Sequence, residues 1–332
     1  MSKLEPLEPE TAVQMYHHHR EDELAESTKR AHRMRLNHFL RWCDEQGIEN
    51  LNNLTGRKLH QFRLWRKRDG DLNRVSVRTQ LSTIKQLLRF CETIDAVEPD
   101  LYEKVDVPEL DKGENARSVM IKVDEAEEIL TYLERFEYAS IRHVIFLLMW
   151  RTAMRTGALR SLDIDDVDLE EGYIQVTHRA EYGTPLKNKS GGERYVAIRQ
   201  ETCHVLEDWI EHTHPEKTDD FGRTPLIGTD YGRVSKSNIR KQAYCATAPQ
   251  TRGKECSCDT DEHEYAKIHE CDDAVSPHAL RRGSITHMIR SDVPKEVVSD
   301  RADVSGDVLD KHYNEMTEKE KMEKRRGYMS NL

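Results

Sequence analysis

The chain has 332 residues, a formal net charge of −10 at neutral pH and 36% hydrophobic residues. Its length suits two domains with separate cores, since single domains usually contain about 100–200 residues. No apolar run approaches the roughly 18 residues of a membrane span and the N-terminus lacks a signal-peptide pattern, so we expect a soluble, cytoplasmic protein. The acidic excess by itself argues against a nucleic-acid partner, and it would also suit the proteome of a halophile.

The N-terminal part is predicted to form a small helical domain. Residues 1–20 are interpreted as a polar lead-in, in which the three histidines at 17–19 are not a metal site. Helical spacing of apolar residues begins near Ser27, Thr55 and Ser76, each of which suits a helix cap. Residues 21–97 therefore predict a bundle of amphipathic helices that binds DNA.

The segment from Gly56 to Cys91 reverses the overall charge. It contains ten basic residues against only Asp69 and Asp71, which makes it +8 within an acidic protein. A charge run on a solvated helix face is rarely so one-sided, so the segment predicts a surface that faces DNA. The ten basic residues are Arg57, Lys58, Arg63, Arg66, Lys67, Arg68, Arg74, Arg78, Lys85 and Arg89.

A second domain is predicted to follow a linker. Residues 98–115 are rich in proline and acidic side chains without an apolar period, which is typical of a linker, and residues 116–332 form the second domain. Tyr138 to Met154 predicts a long buried helix. The segments 173–177 and 194–198 alternate as strands around a loop rich in glycine and lysine. The predicted fold class is mainly α, with a small antiparallel β-hairpin sheet.

The C-terminal part contains a candidate anion site. Ser276 can cap a helix whose first residue is Pro277, and His278 and Arg281 then project from one face at positions i and i+3. A histidine and an arginine that point to the same place can hold a phosphate. Tyr313, about thirty residues downstream, is a candidate phenolic nucleophile for that phosphate. A charged tail, residues 315–332, follows.

A polar insert, residues 244–273, holds four of the seven cysteines. Thiols of cytosolic proteins stay reduced, so their clustering favours metal binding over disulfides. The insert predicts a structural zinc ion bound by Cys245, Cys256, Cys258 and Cys271. His263 and His269 are alternative ligands, and unrelated thiols in a loop are the other interpretation.

The stretch from Thr152 to Asp168, TAMRTGALRSLDIDDVD, resembles the first arginine box of the tyrosine recombinase (phage integrase) family. The other motifs follow in the family's order. PLKNKSG at 185–191 resembles the lysine loop, His278-x-x-Arg281 resembles the second box, and Tyr313 stands at the position of the nucleophile. The N-terminal helices resemble the family's core-binding domain. The chain is thus similar to a divergent, Xer-like site-specific recombinase with a two-domain architecture.

The resemblance implies an enzyme that cleaves and rejoins DNA through a 3′-phosphotyrosine, without ATP or a catalytic metal. Tyr313 would attack the scissile phosphate, and Arg155 and Arg281 would neutralise its charge. His278 would donate to the phosphate or take the tyrosine proton, and Lys187 would protonate the leaving 5′-oxygen, with Lys189 as the alternative. The implied partner is double-stranded DNA, bound by a tetramer across two sites that is monomeric in solution.

Three positions depart from the family's pattern. Ala158 replaces the usual acidic residue, so the orientation of Arg155 or His278 must come from elsewhere. Arg282 stands where histidine is usual, and Val304 stands where histidine or tryptophan is usual. A type IB topoisomerase-like enzyme and a catalytically inactive, integrase-like DNA-binding regulator remain as alternatives.

Overall fold

The computed structural model describes residues 4–111, 119–257, 268, 271–314, 319, 322 and 326, with the backbone alone at 311–314. The chain divides into two compact units, residues 1–118 and 119–332. In the parts of the chain that are described, no helix is both long and apolar enough to cross a lipid bilayer.

Between residues 4 and 111, the N-terminal unit has four α-helices around one core. They are α1 (Pro9–His19), α2 (Glu26–Glu45), α3 (Gly56–Asp69) and α4 (Arg74–Thr93), with 3₁₀ turns at Leu51–Asn53 and Leu101–Lys104. Large aromatic side chains fill the centre, where the Phe39 and Phe62 rings meet edge to face with centroids 5.5 Å apart. Thr55 caps α3 as predicted, whereas α4 begins earlier than predicted, because Asn73 accepts the Ser76 amide hydrogen.

Two predictions for the ends of this unit are wrong. The predicted lead-in contains α1, whose Tyr16 is fully buried with its hydroxyl 3.0 Å from His32 Nδ1. The apolar stripe of α1 is short, so its sequence is hard to distinguish from a polar segment. The predicted linker also packs on the unit, since Leu101 and Val105 are buried in the same core and Arg78 donates to the Pro108 carbonyl at 2.7 Å.

Eight helices with short strands between them are described from end to end in the C-terminal unit. The helices are α5 (Val123–Phe136), α6 (Ile141–Thr152), α7 (Thr156–Ser161), α8 (Gln200–Asp208), α9 (Lys236–Thr247), α10 (Pro277–Arg290), α11 (Lys295–Ala302) and α12 (Gly306–Asn314). A π-helical turn, Trp209–Thr213, follows α8, and one-turn 3₁₀ helices lie at Ile164–Asp166, Lys189–Gly192 and Pro249–Arg252.

In the described part of this unit, five strands form two small antiparallel sheets. The first sheet has the order β1 (Val167–Asp168), β2 (Tyr173–Val176) and β3 (Arg194–Ala197), and Ile174 pairs with both Val167 and Val196. The second sheet contains only β4 (Gly228–Thr229) and β5 (Gly232–Arg233). The predicted fold class, mainly α with a small antiparallel hairpin sheet, is confirmed.

Helix α6 is the centre of the C-terminal unit. Every side chain from His143 to Trp150 is buried, so the helix is covered on all sides, as its continuous apolar run predicts. It ends at Ala153, whose φ of 53° is left-handed and stops the helix. The chain then turns directly into α7, which places Arg155 at the end of a rigid, buried element.

Candidate active site

Arg155 caps α7 and forms an ion pair with Asp303. Its side chain is 28% exposed, so one part of the guanidinium is held by the protein and another reaches solvent. Ala158, one turn along α7, is buried in the apolar core. Arg155, which the sequence left without an acidic partner, therefore contacts the carboxylate of Asp303, 148 residues later in the chain.

Arg281 is almost completely buried beside Arg155. Its Nη1 donates to the carbonyls of Ala153 and Ala302, the latter at 2.7 Å, and its Nη2 donates to the Asp303 carbonyl at 3.4 Å. These carbonyls belong to the C-terminal ends of α6 and α11. Burial lowers the pKa of Arg281 to about 9, and repulsion from Arg155 adds to the effect.

His278 lies one turn before Arg281 on α10. Ser276 caps this helix by accepting the Ala279 amide hydrogen at 3.4 Å, and Pro277 is its first residue, as predicted. Partial burial lowers the pKa of His278, and the charges of Arg281, Arg282, Lys187 and Arg155 lower it further. The second motif, the first arginine and the lysine loop thus lie close enough together for their charges to interact.

The lysine loop joins β2 to β3 and is fixed through its middle residue. Asn188 Nδ2 donates to Asp303 Oδ1 at 2.6 Å, while Lys187 and Lys189 on either side are exposed. Lys187 is among the cations that lower the pKa of His278. Lys189 instead begins a 3₁₀ turn with a left-handed φ of 52°. The geometry favours Lys187 of the two candidates.

Two partly buried arginines hold the hairpin that carries this loop. Arg179, at the start of the loop, binds both carboxylate oxygens of Asp166, at 2.8 and 2.5 Å. Arg194, at the start of β3, donates to the carbonyls of Arg301 and Gly192 at 2.9 and 2.8 Å. The hairpin is therefore attached to the first arginine box at one side and to α11 at the other.

Asp303 is the site residue that sequence reasoning missed. It follows α11 with a left-handed φ of 51°, and its carboxylate contacts both Arg155 and Asn188. Arg155 and Asp303 are 148 residues apart, and no local motif indicates the contact. The only signal in the sequence is indirect, namely the missing acidic residue at position 158.

The structure describes the side chains of Val304 and Arg282 but only the backbone of Tyr313. Val304 is buried in an apolar cluster with Ile285 and Ile289, so this position supplies no polar donor. Arg282 is also buried. Tyr313 belongs to α12, which begins three residues after Asp303, but only its backbone is described. The position of its hydroxyl lies outside the described atoms.

The basic segment of the N-terminal unit is only partly a free surface. Arg57, Lys67 and Arg68 are exposed, and Lys58 is half-buried. Arg66 is buried against Asp69 at 3.2 Å, so its assignment to a DNA-facing surface is wrong, because the helix turns it inward. The other five basic residues contact the predicted linker. Asp106 pairs with Arg63, Asp111 lies 3.5 Å from Arg74, and the Pro108 carbonyl accepts from Arg78. The Tyr102 ring lies beneath the cations of Lys85 and Arg89.

Helix α2 adds basic residues that the sequence pattern did not single out. Arg30 and Arg33 are exposed on it, and Arg35 donates to Thr83 Oγ1 of α4 at 3.2 Å. Gln80 of α4 in turn donates to the Arg35 carbonyl at 2.7 Å. These contacts place the polar side of α2 next to α4, which widens the basic surface beyond the predicted segment.

The cysteine insert brings together two of its four predicted ligands. The Sγ atoms of Cys256 and Cys271 are 3.2 Å apart, and a carboxylate oxygen of Asp273 lies within 4.8 Å of both. Cys245 is not part of this group, because α9 directs it into an apolar cluster with Ala248 and Ile268. The described group therefore does not include this predicted ligand. Cys258, His263 and His269 lie outside the described residues.

Comparison with known proteins agrees with this arrangement. Residues 120–319 match the phage integrase family, and residues 16–93 match the phage integrase N-terminal SAM-like domain. Tyrosine recombinase XerD of Pseudomonas aeruginosa is 24% identical over 279 residues, which are 83% of this chain and 82% of the relative. Tyrosine recombinase XerC of Vibrio cholerae is 22% identical over 274 residues, covering 82% and 77%.

Solved structures share the fold. The Tn1549 transposon integrase in complex with a circular intermediate DNA has a TM-score of 0.67 at 14% identity, over 97% of this chain and 99% of that one. A lambda integrase dimer bound to a COC′ core site has a TM-score of 0.64 at 12% identity, over 92% and 77%. The chain therefore belongs to the phage integrase family and is a tyrosine recombinase, an enzyme that breaks and rejoins DNA.

Proposed function

We propose that this recombinase cleaves one strand of double-stranded DNA with Tyr313 and keeps the broken end as a 3′-phosphotyrosine. The observation that supports this assignment best is the meeting of Arg155, Arg281 and the lysine loop at Asp303, with His278 close enough for the charges of Arg155, Arg281 and Lys187 to lower its pKa. Three motifs that are far apart in the sequence thus supply cations, a titratable imidazole and an exposed ammonium group to one place. A phosphodiester is the substrate that such a group suits.

The proposed step conserves the phosphodiester. The Tyr313 hydroxyl oxygen forms a bond to phosphorus, the bond from phosphorus to the 5′-oxygen breaks, and a free 5′-hydroxyl leaves. His278 accepts the tyrosine proton, since its lowered pKa keeps the imidazole neutral near pH 7. Lys187 gives a proton to the 5′-oxygen, with Lys189 as the alternative donor. Attack by a second 5′-hydroxyl reverses the step and joins the strands.

Arg155 and Arg281 act on the two non-bridging oxygens of the phosphate. Charge builds on these oxygens in the transition state, and guanidinium groups that are already in position stabilise it without reorganisation. Arg281 is fixed by backbone carbonyls and Arg155 by a carboxylate, so both are oriented before DNA binds. These residues supply the needed charge, so the step requires no ATP and no catalytic metal.

The experiment that tests the nucleophile uses a nicked suicide substrate, in which the cleaved fragment diffuses away and the covalent complex accumulates. We expect a tyrosine-linked adduct with the wild-type chain. Tyr313→Phe should bind the same DNA and give no adduct, because it loses only the hydroxyl. An adduct that persists in this variant would assign the role to another tyrosine, with Tyr328 tested first.

The same substrate separates the alternative functions. A type IB topoisomerase-like enzyme would form the adduct and relax supercoiled DNA as a monomer, without joining strands from two sites. An inactive DNA-binding regulator would bind without an adduct. A recombinase gives both the adduct and joined products from two partner duplexes.

For the assembly, we propose double-stranded DNA as the partner of a monomer that forms a tetramer across two sites. Exposed Arg30, Arg33, Arg57, Lys67 and Arg68 in the N-terminal unit offer positive charge to a phosphate backbone. The two related structures are of integrases bound to DNA, one of them a dimer at a core site. The charged tail, residues 315–332, is the proposed contact between neighbouring subunits.

For the insert, we propose a structural zinc ion with Cys256, Cys271 and Asp273 as three ligands. The thiols are already within contact distance, and the Ser257 amide donates to the Asp273 carboxylate at 2.6 Å, which fixes its direction. Two thiolates and a carboxylate suit zinc, and Cys258, His263 or His269 would complete four ligands by residue type. Such a closed site would act on structure and not on the chemistry.

A further inference from the structure

The carboxylate of Asp303 lies at the one point where three parts of the proposed active site meet. Its Oδ2 pairs with Arg155 of the first arginine box, and its Oδ1 accepts from Asn188 of the lysine loop. Its backbone carbonyl accepts from Arg281. Only 14% of the side chain is exposed, so these contacts are shielded from solvent.

The surroundings of this carboxylate are strongly positive. Burial lowers the pKa of both Arg194 and Arg281, repulsion from Arg155 lowers it further, and the charge of Asp303 opposes this lowering. The carboxylate pairs with Arg155 and lies close enough to two further guanidinium groups to stabilise their charge. The lysine loop packs closely on the same group, because a Cβ added at Gly192 would lie 3.3 Å from Asp303 Oδ2. The carboxylate has little freedom to move.

We propose that Asp303 is a positioning residue of this recombinase, which aims Arg155 at the scissile phosphate and does so in place of the missing acidic residue at position 158. This inference rests on the proposed function. Asp303 accepts from one nitrogen of Arg155, which leaves the others for the phosphate. Through Asn188 it also fixes the loop that carries Lys187, and through the backbone it precedes α12, the helix of Tyr313.

Asp303→Asn is the variant that isolates the charge. The residue has a left-handed φ of 51°, which asparagine tolerates about as well as aspartate, whereas alanine would add backbone strain. Asp303→Gly is the second variant, because glycine also accepts this φ and removes the whole side chain. Asp300→Asn is the matched control, since Asp300 is exposed on α11 and is one turn away.

The test measures single-turnover cleavage of the suicide substrate at saturating protein, together with DNA affinity and the unfolding temperature. A displaced catalytic group can cost about a hundredfold in rate, so we expect a loss of about tenfold to a hundredfold for Asp303→Asn and a larger loss for Asp303→Gly. DNA affinity should change less than about threefold, and Asp300→Asn should cleave like the wild type. Equal rates for Asp303→Asn and the wild type would overturn the proposal.

A double-mutant cycle separates positioning from a merely structural role. If Asp303 acts through Arg155, adding Asp303→Asn to Arg155→Ala should slow cleavage little beyond the single Arg155→Ala variant. If the rate loss of the double variant equals the product of the two single losses, Asp303 and Arg155 act independently, and the proposal is overturned. The asparagine of Asp303→Asn could still hydrogen-bond to Arg155 and Asn188. The cycle is therefore repeated with Asp303→Gly, which removes the whole side chain.

A substrate with sulfur in place of the 5′-bridging oxygen distinguishes the two contacts of the carboxylate. The leaving thiolate needs no proton, so a defect in the lysine loop disappears on this substrate and a defect in Arg155 persists. We expect most of the Asp303→Asn defect to persist. Complete recovery would overturn the role through Arg155. If the wild type itself forms no adduct, the proposed function fails, and the positioning role fails with it.

Discussion

Arg155 and Arg281 bring the same charge to the proposed phosphate, but the protein holds them in different ways. Arg281 is 5% exposed and binds carbonyls at the ends of two helices, whereas Arg155 has a single ion pair and remains partly open to solvent. Removal of a buried, charged donor leaves its acceptors unsatisfied. We therefore expect Arg281 to contribute to both stability and cleavage, and Arg155 to contribute mainly to cleavage.

We expect alanine variants of Arg155 and Arg281 to lose cleavage activity alike but to differ in stability. Arg155→Ala and Arg281→Ala should each slow cleavage by about a hundredfold or more, as the loss of transition-state charge stabilisation implies. Arg281→Ala should also lower the free energy of unfolding by roughly 2–4 kcal/mol, since its bonds are buried and charged. Thermal unfolding beside the adduct assay measures both effects, and an equally destabilised Arg155→Ala would contradict the distinction.

The pH dependence of cleavage should report on His278. Its pKa lies below the ordinary 6.5, because partial burial and four nearby cations disfavour the charged imidazole. If the neutral ring accepts the tyrosine proton, the rate should fall only as pH drops through that lowered pKa, below 6.5. Single-turnover rates between about pH 5 and pH 8 measure this acidic limb.

Two variants serve as controls for this assignment. His278→Asn should be slow at every pH and should lose the acidic limb. Lys187→Gln removes one of the cations near His278, so the limb should move to higher pH even though the overall rate falls. An unchanged limb in His278→Asn would assign the titration to another group.

At the level of single residues, the sequence can predict the groups that stand in compact motifs. His278 and Arg281 share one helical turn, and Arg155 follows a recognisable buried run, so their neighbourhood is encoded locally. Asp303 could not be found in this way, because it is one of 61 acidic residues and its partners are distant in the chain. Arg66 was misassigned because charge composition does not reveal which side of a helix is covered.

Among the elements, α9, α10 and the insert between them determine where the second motif lies. Cys271 precedes Ser276, the cap of α10, by five residues, so whatever orders the insert also orders the start of the helix that carries His278. The insert has few apolar residues to bury. A metal ion would supply folding free energy that apolar burial cannot provide there.

We expect the protein to contain about one zinc per chain when purified without added metal. Cys256→Ser and Cys271→Ser should lose the metal, because each removes a thiolate from the proposed site. Cys245→Ser is the matched control, since Cys245 lies in a separate apolar cluster, and it should keep its zinc. Metal analysis of the three variants gives the answer, and equal loss in all three would return Cys245 to the ligand set.

Long, strongly periodic elements are easier to predict than short ones with sparse apolar faces. Helix α6 and the strands β2 and β3 match their predictions within a few residues, because a continuous apolar run and strict alternation are strong signals. Helix α1 and the turn at Leu101–Lys104 have only a few apolar residues among charged ones. Their burial depends on the rest of the N-terminal core, which no local pattern describes.

On the scale of the whole molecule, cleavage and strand exchange place different demands on the chain. The groups proposed for cleavage all belong to the C-terminal unit, whereas exchange needs several subunits on two DNA sites. Ending the chain after Asn314 should leave binding to a single site intact and abolish pairing of sites. Native gel shifts with one-site and two-site DNA measure both properties, and recombination at the normal rate would contradict docking by the tail.

The buried thiols have a practical consequence for labelling. Burial raises the pKa of both Cys43 and Cys91 to about 12 and also raises the pKa of Cys203, so these three thiols form little of the reactive thiolate near neutral pH, and Cys245 is shielded from solvent. Cys256 is the partly exposed thiol among the described residues. With Cys258 replaced by serine, a maleimide dye should therefore attach at Cys256 only where the proposed zinc ion is absent, because a metal-bound thiolate is not free to react. The rate of labelling before and after treatment with a chelator would thus report how fully the insert holds its metal.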